Sequence, residues 1–528
     1  MKRPHRKGDE MRKIVMSATL VLVAIAMMAT LATDAYAYNL RVQNVSLYRS
    51  AAQPPNTIGI KFDLLWDGSF SSVDKNGKAF YDRAWVFVKY FKTTDPADTA
   101  WSHATLIAGG TVGDYSSTTG VGISSDKKGA FCKPGANQIV YWNLNTDGLA
   151  GTENVLIKVM AIEMVYVPEG AFYVGSGGTE TSPFYTYPNM TAPYQITSEA
   201  AITVGTDPGN LFYQLTTNGG DRLGPIPAEF PKGYQSFYMM KYELTQGQYR
   251  DFLNTLTRAQ QVSRVASIVG SYYALPATAT AANIASASNY SNGIRVPASP
   301  PGSGPITFGC DYDHNGTFNQ TTDGEFIACN YVSWADLSAY ADWAGLRPMT
   351  ELEFEKAARG PIYPVANEYV WGTATIATSG YTMVNPGEAT EGITTNYSPI
   401  VGNACYSSTR SGKAMFRGGI FAANAGNTGR ITSGASYYGI MELSGNLWER
   451  PVTVGNSAGR LFTGTHGDGV LTTTNTDWPS ASAVGAGYRG GAWYYDSSYA
   501  RVSDRYYAAH TSAARNGDLG IRCVRTSP

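Results

Sequence analysis

Val332-Ser-Trp-Ala-Asp-Leu-Ser-Ala-Tyr-Ala-Asp-Trp-Ala-Gly-Leu-Arg-Pro-Met-Thr-Glu-Leu-Glu-Phe-Glu-Lys-Ala-Ala-Arg-Gly360 is the stretch on which the fold turns. Leu337, Tyr340 and Ala341 recur at helical spacing, so a helix is expected over about 333–344. Another begins at Thr350, where Glu353 completes a capping box, and stops at Gly360, a residue suited to the left-handed C′ position. Upstream, residues 242–256 repeat the logic. Thr245 and Gln248 have capping-box spacing, and Tyr249, Phe252, Leu253 and Leu256 fall on one face. Glu163-Met-Val-Tyr-Val-Pro-Glu-Gly170 and Ala171-Phe-Tyr-Val-Gly175 read as two short strands about a turn. Beyond Trp371 the chain is mostly Gly, Ser, Thr, Asn and Tyr, with few helical patterns. From Ala161 onward the expected class is therefore α+β, with two or three helices and much irregular chain.

Residues 38–160 have a different character. Ile58-Gly-Ile-Lys-Phe-Asp-Leu-Leu-Trp66, Arg83-Ala-Trp-Val-Phe-Val-Lys-Tyr-Phe-Lys92 and Asn154-Val-Leu-Ile-Lys-Val-Met160 are aromatic and β-branched runs bounded by turn residues. Strands at that spacing suggest an all-β module of the immunoglobulin or fibronectin sandwich type. No catalytic constellation occurs in it, and presentation or docking is its expected role. Ahead of it, Lys2, Arg3, Arg6, Lys7, Arg12 and Lys13 precede an apolar run from Ile14 to about Ala32 and the small-x-small pattern Ala35-Tyr36-Ala37. Residues 1–37 therefore read as a secretory signal peptide, with Tyr38 as the expected mature start. The protein is expected to be exported, extracellular or at the cell surface, with the periplasm as the other compartment. Contact with a membrane is expected only if the leader stays uncleaved.

Composition narrows the function. Lys plus Arg number 40 against 41 Asp plus Glu, so no basic excess exists to neutralise nucleic-acid phosphates. Charged residues make up only 15% of a chain with 36 Tyr and 57 Gly, a palette closer to extracellular β-rich proteins than to cytosolic enzymes.

The quoted stretch and several later ones resemble the formylglycine-generating, or sulfatase-modifying factor, family. They are Val332–Asp336, Trp343–Thr350, 351–360, Trp371-Gly372, Ser444-Gly-Asn-Leu-Trp-Glu449, Arg489-Gly-Gly-Ala-Trp493 and the closing Gly520-Ile-Arg-Cys-Val-Arg525. The resemblance covers most of 161–528 in the family's order. It implies a variant of the C-type-lectin-like fold with long loops, here with insertions near 176–235, 257–325 and 373–430. Family enzymes oxidise a substrate cysteine to formylglycine through two copper-binding cysteines, soft ligands suited to Cu(I). The first cysteine lies three residues after the serine of Gly-Gly-Ser-Tyr. Here those positions are Ala492 and Tyr495, and no cysteine occurs between Gly490 and Arg522. Arg450 replaces the Trp that usually follows Trp-Glu, and Cys523 matches a structural cysteine. The iron-dependent branch of the family needs clustered histidines, and here His103, His314, His466 and His510 are scattered singly. No catalytic residue is assigned, and neither copper, iron nor a nucleotide is expected.

Two calcium sites are expected. Asp311-Tyr-Asp-His-Asn-Gly-Thr-Phe-Asn-Gln-Thr-Thr-Asp-Gly-Glu325 opens like an EF-hand loop: oxygen donors at Asp311, Asp313 and Asn315, Gly316 at the turn, and the carbonyl of Thr317. Thr322 stands where the bidentate Glu belongs, and Asp323 or Glu325 replaces it on a shift of register. The resemblance implies the second site at Gly445, Asn446, Leu447 and Glu449. Cys310 and Cys329 bracket the first loop and are a disulfide candidate in an exported chain, worth about 3 kcal/mol. The remaining three cysteines leave an odd thiol.

The C-terminal stretch from Trp493 carries Tyr494, Tyr495, Tyr499, Arg501, Tyr506 and Tyr507 where the family's substrate groove lies. Tyr with Ser and Asp is the palette of antibody-type contact surfaces. The leading expectation is a non-catalytic binding protein for an extracellular protein, peptide or glycan. The alternatives are an enzyme of altered chemistry, a self-assembling envelope or filament component, and a retroelement-diversified variable lectin-like protein.

Overall fold

Strand Ala79–Lys92 organises the molecule because both of its faces are covered. Tyr81, Trp85 and Phe87 enter the largest core, while Ala84, Val86, Val88 and Tyr90 point into a second core on the opposite face. The period of two explains why the run is apolar without alternation: a strand buried on both sides needs no polar face. The computed structural model describes residues 40–528 apart from 52, 215–217, 277–291, 396–397, 399, 410–414, 428 and 473–474. The leader expected over 1–37, and Tyr38, lie outside the described residues.

Strand Val155–Val167 pairs antiparallel with Ala79–Lys92, from Val155 opposite Lys92 to Tyr166 opposite Tyr81. It then hands on to Phe237–Met240, which pairs with the C-terminal strand Cys523–Thr526 and so with Arg347–Pro348. These belong to one nine-stranded sheet. Residues 160 and 161 thus lie within a single strand, which the Asn154–Met160 and Glu163–Gly170 readings divided. A separate four-stranded sheet contains Arg41–Tyr48, Thr57–Leu65, Leu106–Ile107 and Gly135–Asn143. Its Ile58, Ile60, Phe62, Val140 and Trp142 close the second core against the even-numbered residues of Ala79–Lys92. Strand content exceeds helix content among the described residues.

The three expected helices form, each shorter than its periodic segment: Gln246–Leu253, Trp334–Trp343 and Glu351–Arg359. All three start on reciprocal capping boxes, at Thr245/Gln248, Ser333/Asp336 and Thr350/Glu353. A further helix, Arg258–Arg264, sits in what the sequence reads as an insertion, with the same signature at Thr257/Gln260. Its capping spacing was legible, but it lacks a continuous apolar face.

Helix Glu351–Arg359 is buried along its whole length although five of its residues are charged. An ionic core makes that tolerable. Arg489 bridges Glu351 at 2.9 Å and Glu355 at 2.7 Å, Arg505 holds Glu351 at 2.8 Å, and Arg359 joins Glu355 at 3.0 Å and also Glu368. Three carboxylates thus face three guanidiniums, so the buried net charge is zero and each ion keeps a partner. Through Arg489 and Arg505 this core fixes both ends of the C-terminal segment that carries the tyrosines.

Candidate functional site

Two backbone segments meet at the site. Glu449 and Arg489 exchange N–H···O bonds of 3.0 Å, tying the Gly-Asn-Leu-Trp-Glu segment to the Arg-Gly-Gly turn. Gly445 (φ 87°) lies so close to Cys405 that a Cβ would stand 2.3 Å from its carbonyl oxygen, so no other residue fits there. Gly490 and Gly491 follow at φ 86° and 75° and swing the chain into Ala492. Asp496 then caps a short 3₁₀ turn, Ser497–Ala500, by accepting from the Ser498 N–H at 2.9 Å.

Trp448 becomes the hub of an aromatic floor. Tyr495, Tyr499 and Tyr507 meet its ring edge-on, with centroids at 5.1, 6.0 and 5.7 Å. Tyr499 and Tyr507 stack at 5.8 Å, and Tyr506 stands edge-on to both. Tyr488 and His510 extend the cluster. Tyr495, Tyr499, Tyr506 and Tyr507 are half-buried and Tyr494 is 64% exposed, so one side of the floor meets solvent. The Tyr495 hydroxyl hydrogen-bonds Asp518, and burial pushes both of these acids above their ordinary pKa values.

Two expected members of this face make contacts outside the aromatic cluster. Trp493 is only 6% exposed, packs with Leu447, Cys405 and Phe416, and donates its Nε1–H to the Gly517 carbonyl at 2.9 Å. It is a core residue because the Asn446 carbonyl accepts its backbone N–H and turns the ring inward. Arg501 is half-buried and donates from Nη1 to the Asn367 side-chain oxygen, 3.4 Å away. Conversely, Trp448, Tyr488, Asp518 and Arg450 belong to the site and were not assigned to it from sequence. Arg450 is wholly buried, lies 4.9 Å from the Tyr488 ring centroid and donates from Nη2 to the Ser512 carbonyl at 2.8 Å. Its Nε and Nη1 have no hydrogen-bond partner among the described residues, and burial draws its pKa down to about 10.

The Asn446 and Glu449 donors implied for calcium are held by protein groups. Asn446 Oδ1 accepts the Phe416 N–H at 2.9 Å, its amide donates to Glu243, and the Leu447 N–H also goes to Glu243 at 2.9 Å. Glu449 Oε1 takes the Arg522 guanidinium at 2.6 Å. Glu449 Oε2 accepts no hydrogen bond among the described residues, so one carboxylate oxygen of this set stays open.

The 311–325 loop is different. Carboxylate oxygens of Asp311, Asp313 and Asp323 lie within 4.8 Å of one another. Asp311 Oδ1 accepts from the Gly316 N–H at 3.2 Å, and its Oδ2 pairs with Arg295. Asp313 accepts from Thr322 Oγ1 at 2.6 Å, and Asn315 Oδ1 takes the Thr317 N–H at 2.8 Å. Asp323 is fully buried, its Oδ2 accepts the Gln320 N–H at 2.7 Å, and its Oδ1 accepts from no protein group among the described residues. Burial, then the neighbouring Asp313 and Asp311, push its pKa up to about 6. Glu325 leaves the group altogether to pair with Arg250. Cys310 and Cys329 are buried thiols with no bridge between them, so the expected disulfide is not formed in this structure. Burial pushes Cys310 up to about 12 and Cys329 above its ordinary value, the direction of an inert core thiol.

The chain belongs to the sulfatase-modifying factor enzyme 1-like domain family, whose pattern matches residues 156–527. A formylglycine-generating enzyme of Streptomyces coelicolor is 52% identical over 42 residues, which is 8% of this chain and 13% of that protein. Treponema denticola variable protein 1 aligns structurally over 70% of this chain and 96% of its own, at 12% identity and a TM-score of 0.31. Among the described residues no helix is long and apolar enough to cross a membrane.

Proposed function

We propose that this chain is an exported or cell-surface binding protein that has exchanged the family's oxidase chemistry for a recognition surface. The C-type-lectin-like domain is its recognition head, and the N-terminal β-rich region presents it. The observation that carries this reading is Tyr495. At the position of the family's first copper-binding cysteine stands a half-buried ring, seated edge-on against Trp448 and continuous with Tyr499, Tyr506 and Tyr507. A thiolate pair has no counterpart there, since no cysteine lies between Gly490 and Arg522. Rigid amphipathic rings with one solvent-facing side suit an extracellular protein, peptide or glycan, because they bury large area at small entropic cost.

The full chain is to be screened on glycan and peptide arrays, and the affinity of a captured ligand measured against Tyr499→Ala and Tyr506→Ala. Loss of about thirtyfold or more, equivalent to ~2 kcal/mol, with little change in melting temperature supports the face. Unchanged affinity in both variants refutes it. Incubation with copper and a Cys-x-Pro-x-Arg peptide is expected to yield no aldehyde, and turnover at an enzyme-like rate overturns the non-catalytic reading.

A further inference from the structure

We infer that the loop from Asp311 to Asp323 is a calcium site, with Asp323 taking the closing role that Glu holds in an EF-hand. The acidic cluster alone would not carry this. The second observation is the Asp323 carboxylate, a member of that group: it is fully buried, and its Oδ1 accepts no hydrogen bond among the described residues. A buried acceptor without a donor is costly, and a buried carboxylate beside two others is more so. Arg295 supplies one positive charge, to Asp311 Oδ2, against three negative ones. A divalent cation brings the balance to neutrality and gives the free oxygen its partner.

The donor chemistry selects the ion. Every group converging here is a hard oxygen, from Asp311, Asp313 and Asp323, with the Asn315 side-chain oxygen and the Thr317 carbonyl on the same turn. Carboxylate and carbonyl oxygens in an irregular loop suit Ca²⁺, which accepts irregular shells, better than Mg²⁺, which demands a near-octahedral one. The structure also settles the register that the sequence left open. Thr322 turns its hydroxyl onto Asp313, Glu325 is drawn off by Arg250, and Asp323 is the remaining acid that reaches the cluster. The loop anchors its surroundings, since the Asp311 N–H reaches the Gly293 carbonyl and the Gly324 N–H the Gly387 carbonyl, both at 2.8 Å. An ion held there would brace two long inserted segments against each other.

The test is calcium titration of the full, EDTA-stripped chain by calorimetry, with thermal melting in parallel. One saturable equivalent is expected, with a melting temperature that keeps rising as free calcium exceeds Kd. Asp313→Asn and Asp323→Asn should each weaken binding by about tenfold or more, because affinity follows the ligand charge count. Glu325→Gln should leave it within about twofold, because that carboxylate is outside the shell. Asp313 is exposed, so its variant keeps the fold, and matched melting of wild type and variant in EDTA verifies this. The inference is overturned if the wild type binds no calcium saturably. It is equally overturned if Asp313→Asn/Asp323→Asn retains wild-type affinity, or if Glu325→Gln loses as much as Asp323→Asn.

Discussion

Replacing Glu351 by Gln removes one charge from the ionic core and changes the side-chain volume hardly at all. Its Oε1 accepts from Arg505 Nη2 at 3.0 Å, Thr453 Oγ1 at 2.9 Å and the Val454 N–H at 2.9 Å. Its Oε2 accepts from Arg489 Nη1 at 2.9 Å and Arg505 Nε at 2.8 Å. An amide keeps one acceptor and turns two N–H donors toward guanidinium donors. The balance of three carboxylates and three guanidiniums becomes net positive in a region where both arginines have no exposure. Breaking a buried pair from one side costs about 3–5 kcal/mol. That is a large part of the ~5–15 kcal/mol that holds a typical domain. Guanidinium-chloride unfolding should therefore show a lowered midpoint with unchanged slope. Glu351→Gln/Arg505→Gln should be less destabilised than the sum of the single variants, since the second change removes the stranded cation. Acidification supplies an independent check. Burial raises the Glu351 pKa, but Arg505 and Arg489 outweigh it and hold the value below the ordinary carboxylate range. A depressed folded-state pKa gives stability that is present above the unfolded pKa and lost as pH falls through the folded one. The gap between wild type and variant should hold from about pH 5 upward and close in stronger acid. A loss under about 1 kcal/mol at neutral pH, or strict additivity in the double variant, would refute the claim that this core is an ionic lock.

Other changes test neighbouring parts of the molecule. Arg450→Met removes a buried cation whose Nε and Nη1 find no partner among the described residues. Replacing it should leave stability equal or raise it by about 1–2 kcal/mol in thermal melts, and a comparable loss would mean that the guanidinium is fully satisfied. Glu442 is pushed up to about 7, chiefly by burial, although the Gly419 N–H donates to it at 2.8 Å. Its raised pKa favours folding below the unfolded value and loses that contribution as pH rises through 7. Glu442→Gln should accordingly match wild type near pH 4 and exceed it by about 2–3 kcal/mol at pH 8, as denaturant curves at the two pH values would reveal. Trp493→Ala should cost about 3–5 kcal/mol, whereas Tyr494→Ala, at an exposed ring, should leave the unfolding midpoint nearly unchanged.

What the sequence determined by itself was local or patterned at short range. The capping boxes at 245 and 350 specify helix starts because donor and acceptor sit three residues apart, and both were found in place. The family resemblance was equally legible, since Trp334, Gly360, Glu449 and Arg489 stand in fixed order along the chain. Only the tertiary structure decided what depends on contacts between distant segments. Strand Val155–Val167 is continuous because Ala79–Lys92 pairs along twelve of its residues, and no local signal reports that partner. Trp493 and Tyr494 are neighbours of like chemistry, yet one is core and the other surface, because Trp493 is held by the distant Asn446 and Gly517 carbonyls. Glu325 leaves the acidic loop to pair with Arg250, a residue 75 positions away. Spacing along a chain encodes hydrogen bonds a turn apart, but the competition of distant charges for one carboxylate is settled only when folding brings them together.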